Sequence, residues 1–229
     1  MKAIATIILS LALSPFSQAQ TAEEIMSSVR QVAVLQGSQD LTGVIRKGSK
    51  KTPLTLFLRG KDIQFALNSG AERFHLRLNE NNQQLREILA GGKSQPFPDK
   101  KIMAPISNTD VSYEDLALKF LYWANPRIIS EEKLNGQLCW RLHVVNTEKT
   151  GRYREVSVWV TKNHRALMRV VGYGPRPASV PLKQFEITDV MKVNGVFTVE
   201  TMKVSSFGED RRVSGITYLE FEKPKRKAR

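Results

Sequence analysis

The chain has 229 residues, 41% of them hydrophobic and 25% charged, a globular composition long enough for one large domain or two small ones. Its 35 Lys and Arg against 22 Asp and Glu leave a formal charge of +13, and such a surface attracts polyanions: nucleic acid, anionic lipid headgroups or acidic glycans. A single cysteine, Cys139, excludes an intrachain disulfide, and with no base beside it in the sequence it reads as a small buried residue rather than a nucleophile.

The N-terminus sets the expected compartment. Lys2 supplies a short positive region, Ala3 to Leu13 is apolar, Pro15 interrupts it, and Ser17-Gln18-Ala19 places small residues where a signal peptidase reads. Residues 1–19 therefore read as a secretory signal peptide cleaved after Ala19, the apolar run being too short to span a bilayer comfortably. No cysteine stands at the cleavage site, so lipidation there is not expected. Export weakens the nucleic-acid reading of the charge.

Thr21-Ala22-Glu23-Glu24 is a capping box, and Ile25, Val29 and Val32 mark the apolar stripe of a helix running to about Leu35. Past Gly37 the period falls to two. Strands are predicted over Leu41 to Lys47, through Leu54, Leu56 and Leu58, through Ile63, Phe65 and Leu67, and through Phe74, Leu76 and Leu78. Gln83 to Leu89 leans towards strand. Gly91 to Asp110, with three prolines and little periodicity, reads as a long ordered loop, a class of segment that is often functional.

Ser112 to Trp123 (SYEDLALKFLYW) is predicted as one helix. Ser112 caps it, Glu114 and Asp115 sit in its first turn, and Asn125-Pro126 ends it. Leu116, Phe120 and Trp123 share a face with Tyr113, which makes this helix either a plug on a curved sheet or an ordinary core helix.

A second meander follows. It begins with Arg127 to Leu134, an Asn135-Gly136 hairpin, and Leu138 to Val145; Glu155 to Thr161 then carries Val156, Val158 and Val160 on one face and Trp159 on the other. Ala166 to Tyr173, Phe185 to Val190, Phe197 to Ser205 and Gly215 to Glu222 complete it, with Gly174 to Pro181 a proline-broken crossing. The count is two helices and about ten or eleven strands. Residues 223–229 (KPKRKAR) form a basic tail, expected to be disordered.

The fold class is thus α+β and mostly β: a curved antiparallel sheet, an incomplete barrel, with helices packed in its concave face. Two helices cannot cover so many strands if the sheet is flat. A sheet wrapped around them can be covered, at the cost of a partly empty concavity suited to an acyl chain. His75, His143 and His164 do not pair at metal-ligand spacing, and no phosphate loop, GxSxG elbow or HExxH occurs. Nothing nominates a nucleophile with its base, so no enzyme activity, cofactor or metal is expected.

The order of elements, together with Tyr113-Glu114-Asp115-Leu116, Gly136 with Trp140 and Leu142, and Val156-Ser157-Val158-Trp159-Val160, resembles the outer membrane lipoprotein-sorting proteins, in a poorly characterised branch of the LolA-like superfamily. The resemblance spans roughly Thr21 to Glu222, the expected lipid-binding domain being 20–222. It departs at Thr161-Lys162, where the family is often acidic. It implies an incomplete barrel with helices in its mouth that carries lipoprotein acyl chains or other lipid across the periplasm. Inner- and outer-membrane transport components are its implied partners, and a monomer is expected. It also implies a moving cover hinged at Gly91 to Asp110 and a lid-closing arginine, for which Arg46 and Arg59 are the candidates left outside the site set.

The expected cavity residues are Leu56, Leu58, Phe65 and Leu76 of the first meander, Val29 of the first helix, Leu116, Phe120 and Trp123 of the second, and Trp140, Leu142 and Val158 opposite. For each, plain core packing is the competing role. A second hypothesis is a non-enzymatic envelope sensor or interaction module on the same fold, which binds a partner protein or an anionic surface polymer through its outer face.

Overall fold

A computed structural model describes residues 20–35, 38–175 and 180–224. The leader read at 1–19 and residues 225–229 of the basic tail lie outside the described residues. Helix α1 (Ala22–Leu35) begins where its capping box places it. Glu24 N–H donates to Thr21 Oγ1 at 3.2 Å, and Thr21 N–H donates to Glu24 Oε2 at 2.8 Å. Ile25, Met26 and Val29 on its stripe are buried.

Six strands follow: β1 (Ser38–Lys47), β2 (Lys50–Arg59), β3 (Asp62–Leu67), β4 (Glu72–Leu78), β5 (Gln83–Ile88) and β6 (Ser94–Pro96). Seven more close the chain: β7 (Arg127–Leu134), β8 (Gln137–Val145), β9 (Glu155–Thr161), β10 (Leu167–Tyr173), β11 (Pro181–Val193), β12 (Val196–Phe207) and β13 (Val213–Phe221). The 13 strands form one antiparallel sheet in the order β6-β5-β4-β3-β2-β1-β13-β12-β11-β10-β9-β8-β7. This exceeds the ten or eleven expected from pattern. β6 has three residues, too few to show a period of two.

Each half of the sheet is a meander of sequence neighbours, and one long-range pairing, β1 with β13, joins them. Gly43 opens that join opposite Phe221, and a Cβ there would stand 2.1 Å from the Glu220 carbonyl oxygen. Only glycine admits so close an approach. Register shifts in β7, β10, β11 and β12 bend the strands. β6 and β7 end the strand order without pairing to each other, so the sheet curves but does not close. Asn135-Gly136 makes the β7–β8 hairpin as expected, with both residues at positive φ, 49° and 78°.

This topology positions the cover. β6 and β7 lie at opposite edges, so residues 97–126 must travel from one edge to the other and do so across the concave face. The expected long loop holds structure of its own: β6, α2 (Asp99–Ile102) and a 3₁₀ turn at Ile106–Asn108. The crossing ends in α3 (Tyr113–Leu116) and a 3₁₀ turn, Lys119–Tyr122.

The single helix predicted from Ser112 to Trp123 is therefore corrected. It breaks at Leu118, which takes φ +52°. A non-glycine residue there costs on the order of 1 kcal/mol or more, which tertiary packing must offset. The break lets two faces be buried in different directions. Tyr113 packs with β4 residues in one cluster, and Leu121 packs with α1 and β8 in another. A straight helix would present both to the same side.

The core follows the strand alternation. Trp140, Leu142 and Val144 of β8 and Val156, Val158 and Val160 of β9 pack with α1. Cys139, Trp159 and Val171 form a small cluster with Leu134 on the opposite face of the sheet. Cys139 is fully buried there, and that burial pushes its thiol pKa up.

Candidate functional site: an apolar cavity under a helical cover

The two large clusters do not fill the trough. Between them lies a cavity of about 220 Å³. A cavity needs only about 10–15 Å³ to hold one water, so this one is far larger than a packing defect. Its floor comes from both halves of the sheet: Leu41, Leu56, Leu58, Ile63 and Phe65 on one side, Val156, Leu167, Val170 and Phe185 on the other. Met202, Val204, Leu219 and Phe221 line the join between them, and the cover contributes Val111, Leu116, Leu118, Phe120 and Trp123.

Of the residues expected from sequence, Leu56, Leu58, Phe65, Leu116, Phe120 and Trp123 line this space. Val29, Leu76, Trp140, Leu142 and Val158 stand in the packed clusters around it. The lining from β12 and β13 was missed. Alternation marks one face of each strand as apolar, but only the β1–β13 join shows that those strands form the middle of the trough.

At one end of the cavity the apolar lining gives way to a buried polar cluster. Asp115 has no exposed side-chain surface, and Lys183 Nζ lies 2.5 Å from its Oδ2. Tyr153 O–H donates to Asp115 Oδ1 at 2.5 Å, and Ser112 N–H donates to Oδ2 at 2.7 Å. Burial, and then the Asp115 carboxylate, hold the Tyr153 phenol pKa well above its ordinary value. Glu114 Oε1 accepts from Arg152 N–H at 2.8 Å, while Oε2 is buried without a hydrogen bond. Burial pushes the Glu114 carboxyl pKa up. Gly151, at φ +80°, lies against that carboxyl, and a Cβ would sit 1.9 Å from Oε1.

This cluster pins α3 to β11 and to the loop before β9. A second set of contacts ties the outer end of the cover. Tyr113 O–H donates to Glu72, and Lys101 bridges Glu72 and Glu87 at 2.7 and 2.9 Å. On the other side Arg30 of α1 donates to the Leu121 carbonyl at 2.5 Å and lies over the Tyr122 ring. Arg46 and Arg59 do not reach the cover: Arg46 pairs with Glu220 across the β1–β13 join, and Arg59 with Asp40 at 2.6 Å. Arg30 is the arginine that joins helix to cover, and no spacing in the sequence connects it to Leu121, 91 residues away. Among the described residues no group of three or more His, Cys, Asp or Glu is placed to hold a metal, and no helix is long and apolar enough to cross a membrane.

An open antiparallel trough roofed by short helices over an apolar hollow is also the fold of solved DUF1329 family and LolA superfamily structures, and this chain shares that fold. Three solved structures carry the likeness. A DUF1329 family protein from Desulfovibrio piger aligns over 88% of this chain and 91% of its own, with TM-score 0.65 and 18% identity. A domain assigned as an outer membrane lipoprotein-sorting protein, from Vibrio parahaemolyticus, aligns over 87% and 89%, with TM-score 0.65 and 16% identity. A LolA superfamily protein from Nitrosomonas europaea aligns over 89% and 92%, with TM-score 0.63 and 12% identity.

A family model described as "Uncharacterized protein" matches residues 92–227, more than half of the chain, and the chain belongs to that family. No curated protein matches the sequence.

Proposed function

We propose that the protein is a periplasmic, non-enzymatic carrier that holds lipoprotein acyl chains or another lipid in the cavity beneath its helical cover. The observation that carries this reading is the unfilled apolar space of about 220 Å³ between the sheet and its cover. Each methylene moved from water into such a space contributes about 0.8 kcal/mol, so affinity needs no covalent chemistry. Leu56, Leu58, Phe65, Leu116, Phe120 and Trp123 would contact the chain directly. Val29, Leu76, Trp140, Leu142 and Val158 would hold the surrounding wall.

Cargo must enter past the cover, and the crossing segment from Gly91 to Asp110 is the proposed hinge. Delivery towards the outer membrane, acting as a monomer between inner- and outer-membrane components, completes the proposed role. The fold of the aligned lipoprotein-sorting structures supports it.

Native mass spectrometry of protein purified from cell envelopes tests the reading, with bound lipid as the expected result. Protein that repeatedly comes without lipid, and that fails to capture a diacylated peptide, would remove it. A fluorescent fatty-acid probe separates the carrier from an interaction module on the same fold. The carrier binds it saturably; the module does not.

A further inference from the structure

The β11–β12 hairpin projects a greasy tip that the cavity does not use. Its turn is Asn194-Gly195, both at positive φ. One face of the hairpin is anchored, with Met191, Val193 and Thr198 buried. Around the turn Val190, Val196 and Phe197 are 51%, 37% and 63% exposed, and Phe197 is the most exposed large hydrophobic among the described residues. Lys192 lies across the register from Phe197 with its ammonium 5.6 Å from the ring centroid.

The neighbouring strand leads the chain to the same place. Thr201 of β12 pairs with Glu220 of β13, and the strands are antiparallel, so Glu222 to Pro224 lead towards the hairpin turn. Lys223 is exposed there, and Lys225, Arg226, Lys227 and Arg229 follow in sequence. With Lys192, and with Lys183 and Lys203 farther along the hairpin, these make eight cations, against the five carboxylates of Glu186, Asp189, Glu200, Glu220 and Glu222, of which Glu220 is paired with Arg46. Thr198, Val199 and Phe221 at this end of the sheet also line the cavity.

We propose that this end of the sheet docks on an anionic lipid bilayer, with Phe197, Val196 and Val190 entering the interface and Lys192 and Lys223 meeting the headgroups, while the sequence beyond Lys223 adds further positive charge. A projecting apolar tip cannot enclose a small ligand, but it can enter a membrane interface, where an aromatic ring with a cation beside it is favoured. One apolar anchor gives only marginal binding, and a polybasic patch supplies the second attachment. The basic charge of the whole chain favours the same surface. The proposal goes beyond carriage, since docking is read without any cavity ligand and either idea can fail alone.

Co-sedimentation of the chain from Gln20 to Arg229 with vesicles tests it, using phosphatidylcholine alone and phosphatidylcholine with one-third phosphatidylglycerol. Binding should be at least tenfold stronger on the anionic vesicles and should weaken as salt is raised. Val196→Ser with Phe197→Ser should lower it about tenfold with an unchanged melting temperature, because both side chains are exposed. Ending the chain after Glu222 should also lower it about tenfold and flatten the salt dependence. Phe197→Trp should retain binding and show emission quenched by brominated lipid beyond that of the wild type. Equal binding to both vesicle types, or binding indifferent to the serine pair, would overturn the proposal. So would a concentration-dependent dimer that the serine pair abolishes with no vesicle binding, which would assign the tip to a second copy of the chain.

Discussion

Asp115 and Lys183 meet at 2.5 Å, with side chains 0% and 7% exposed, and so fasten the cover to the floor of the trough. Removing one partner leaves a buried charge uncompensated, which costs about 3–5 kcal/mol. Lys183→Met should therefore destabilise the protein by about that amount in urea unfolding. Adding Asp115→Asn should recover part of the loss, since the remaining amide can still accept from Tyr153 O–H.

Glu114 gives the stability a defined pH dependence. Its carboxyl pKa is raised in the folded protein by burial, so the folded state holds its proton to higher pH than the unfolded chain does. Its contribution is complete below the unfolded value near 4.5 and declines as pH rises through the folded value. Glu114→Gln keeps an acceptor for Arg152 N–H and removes the titration. The variant should gain stability over the wild type as pH rises through that window, measured as the difference in urea midpoints from pH 4 to 8, and the difference should level off above it.

Lining and wall residues should respond differently to substitution. Leu56→Trp places a larger side chain into the cavity and should reduce fatty-acid probe affinity at least tenfold, while the empty space holds the folding cost below the usual 1–3 kcal/mol of overpacking. Leu142, fully buried in the packed cluster beyond, should behave the opposite way. Leu142→Ala should cost about 2–5 kcal/mol in unfolding and leave the folded protein's probe affinity within about twofold.

Arg30 should control how fast the cover opens. Its bond to the Leu121 carbonyl links α1 to the 3₁₀ turn of the cover, and a hydrogen bond from a charged group contributes about 1.5–3 kcal/mol. Arg30→Met should speed probe release several-fold and raise amide hydrogen exchange across 119–123. Unchanged release would show that the cover opens elsewhere.

Much of the architecture is legible in the chain because it is set by neighbours. Period-two alternation places Trp140, Leu142 and Val158 on one face and Cys139 and Trp159 on the other, and the clusters observe that division. The Thr21 and Glu24 capping box and the Asn135-Gly136 hairpin act within a few residues, so the sequence alone predicts them. Signals of this kind depend on backbone geometry that every such segment shares.

Tertiary structure decided what depends on distant partners. The chain has to cross from the β6 edge to the β7 edge, which bends the predicted helix at Leu118 so that Tyr113 and Leu121 can be buried in separate clusters. The β1–β13 join, admitted by Gly43, puts Leu219 and Met202 around the same cavity as Leu56 and turns two meanders into one trough. Whether an apolar side chain faces the hollow, as Leu56 does, or the packed wall, as Leu142 does, follows from where the cover comes to rest. Local periodicity is blind to that, because both residues have the same alternation and the same chemistry.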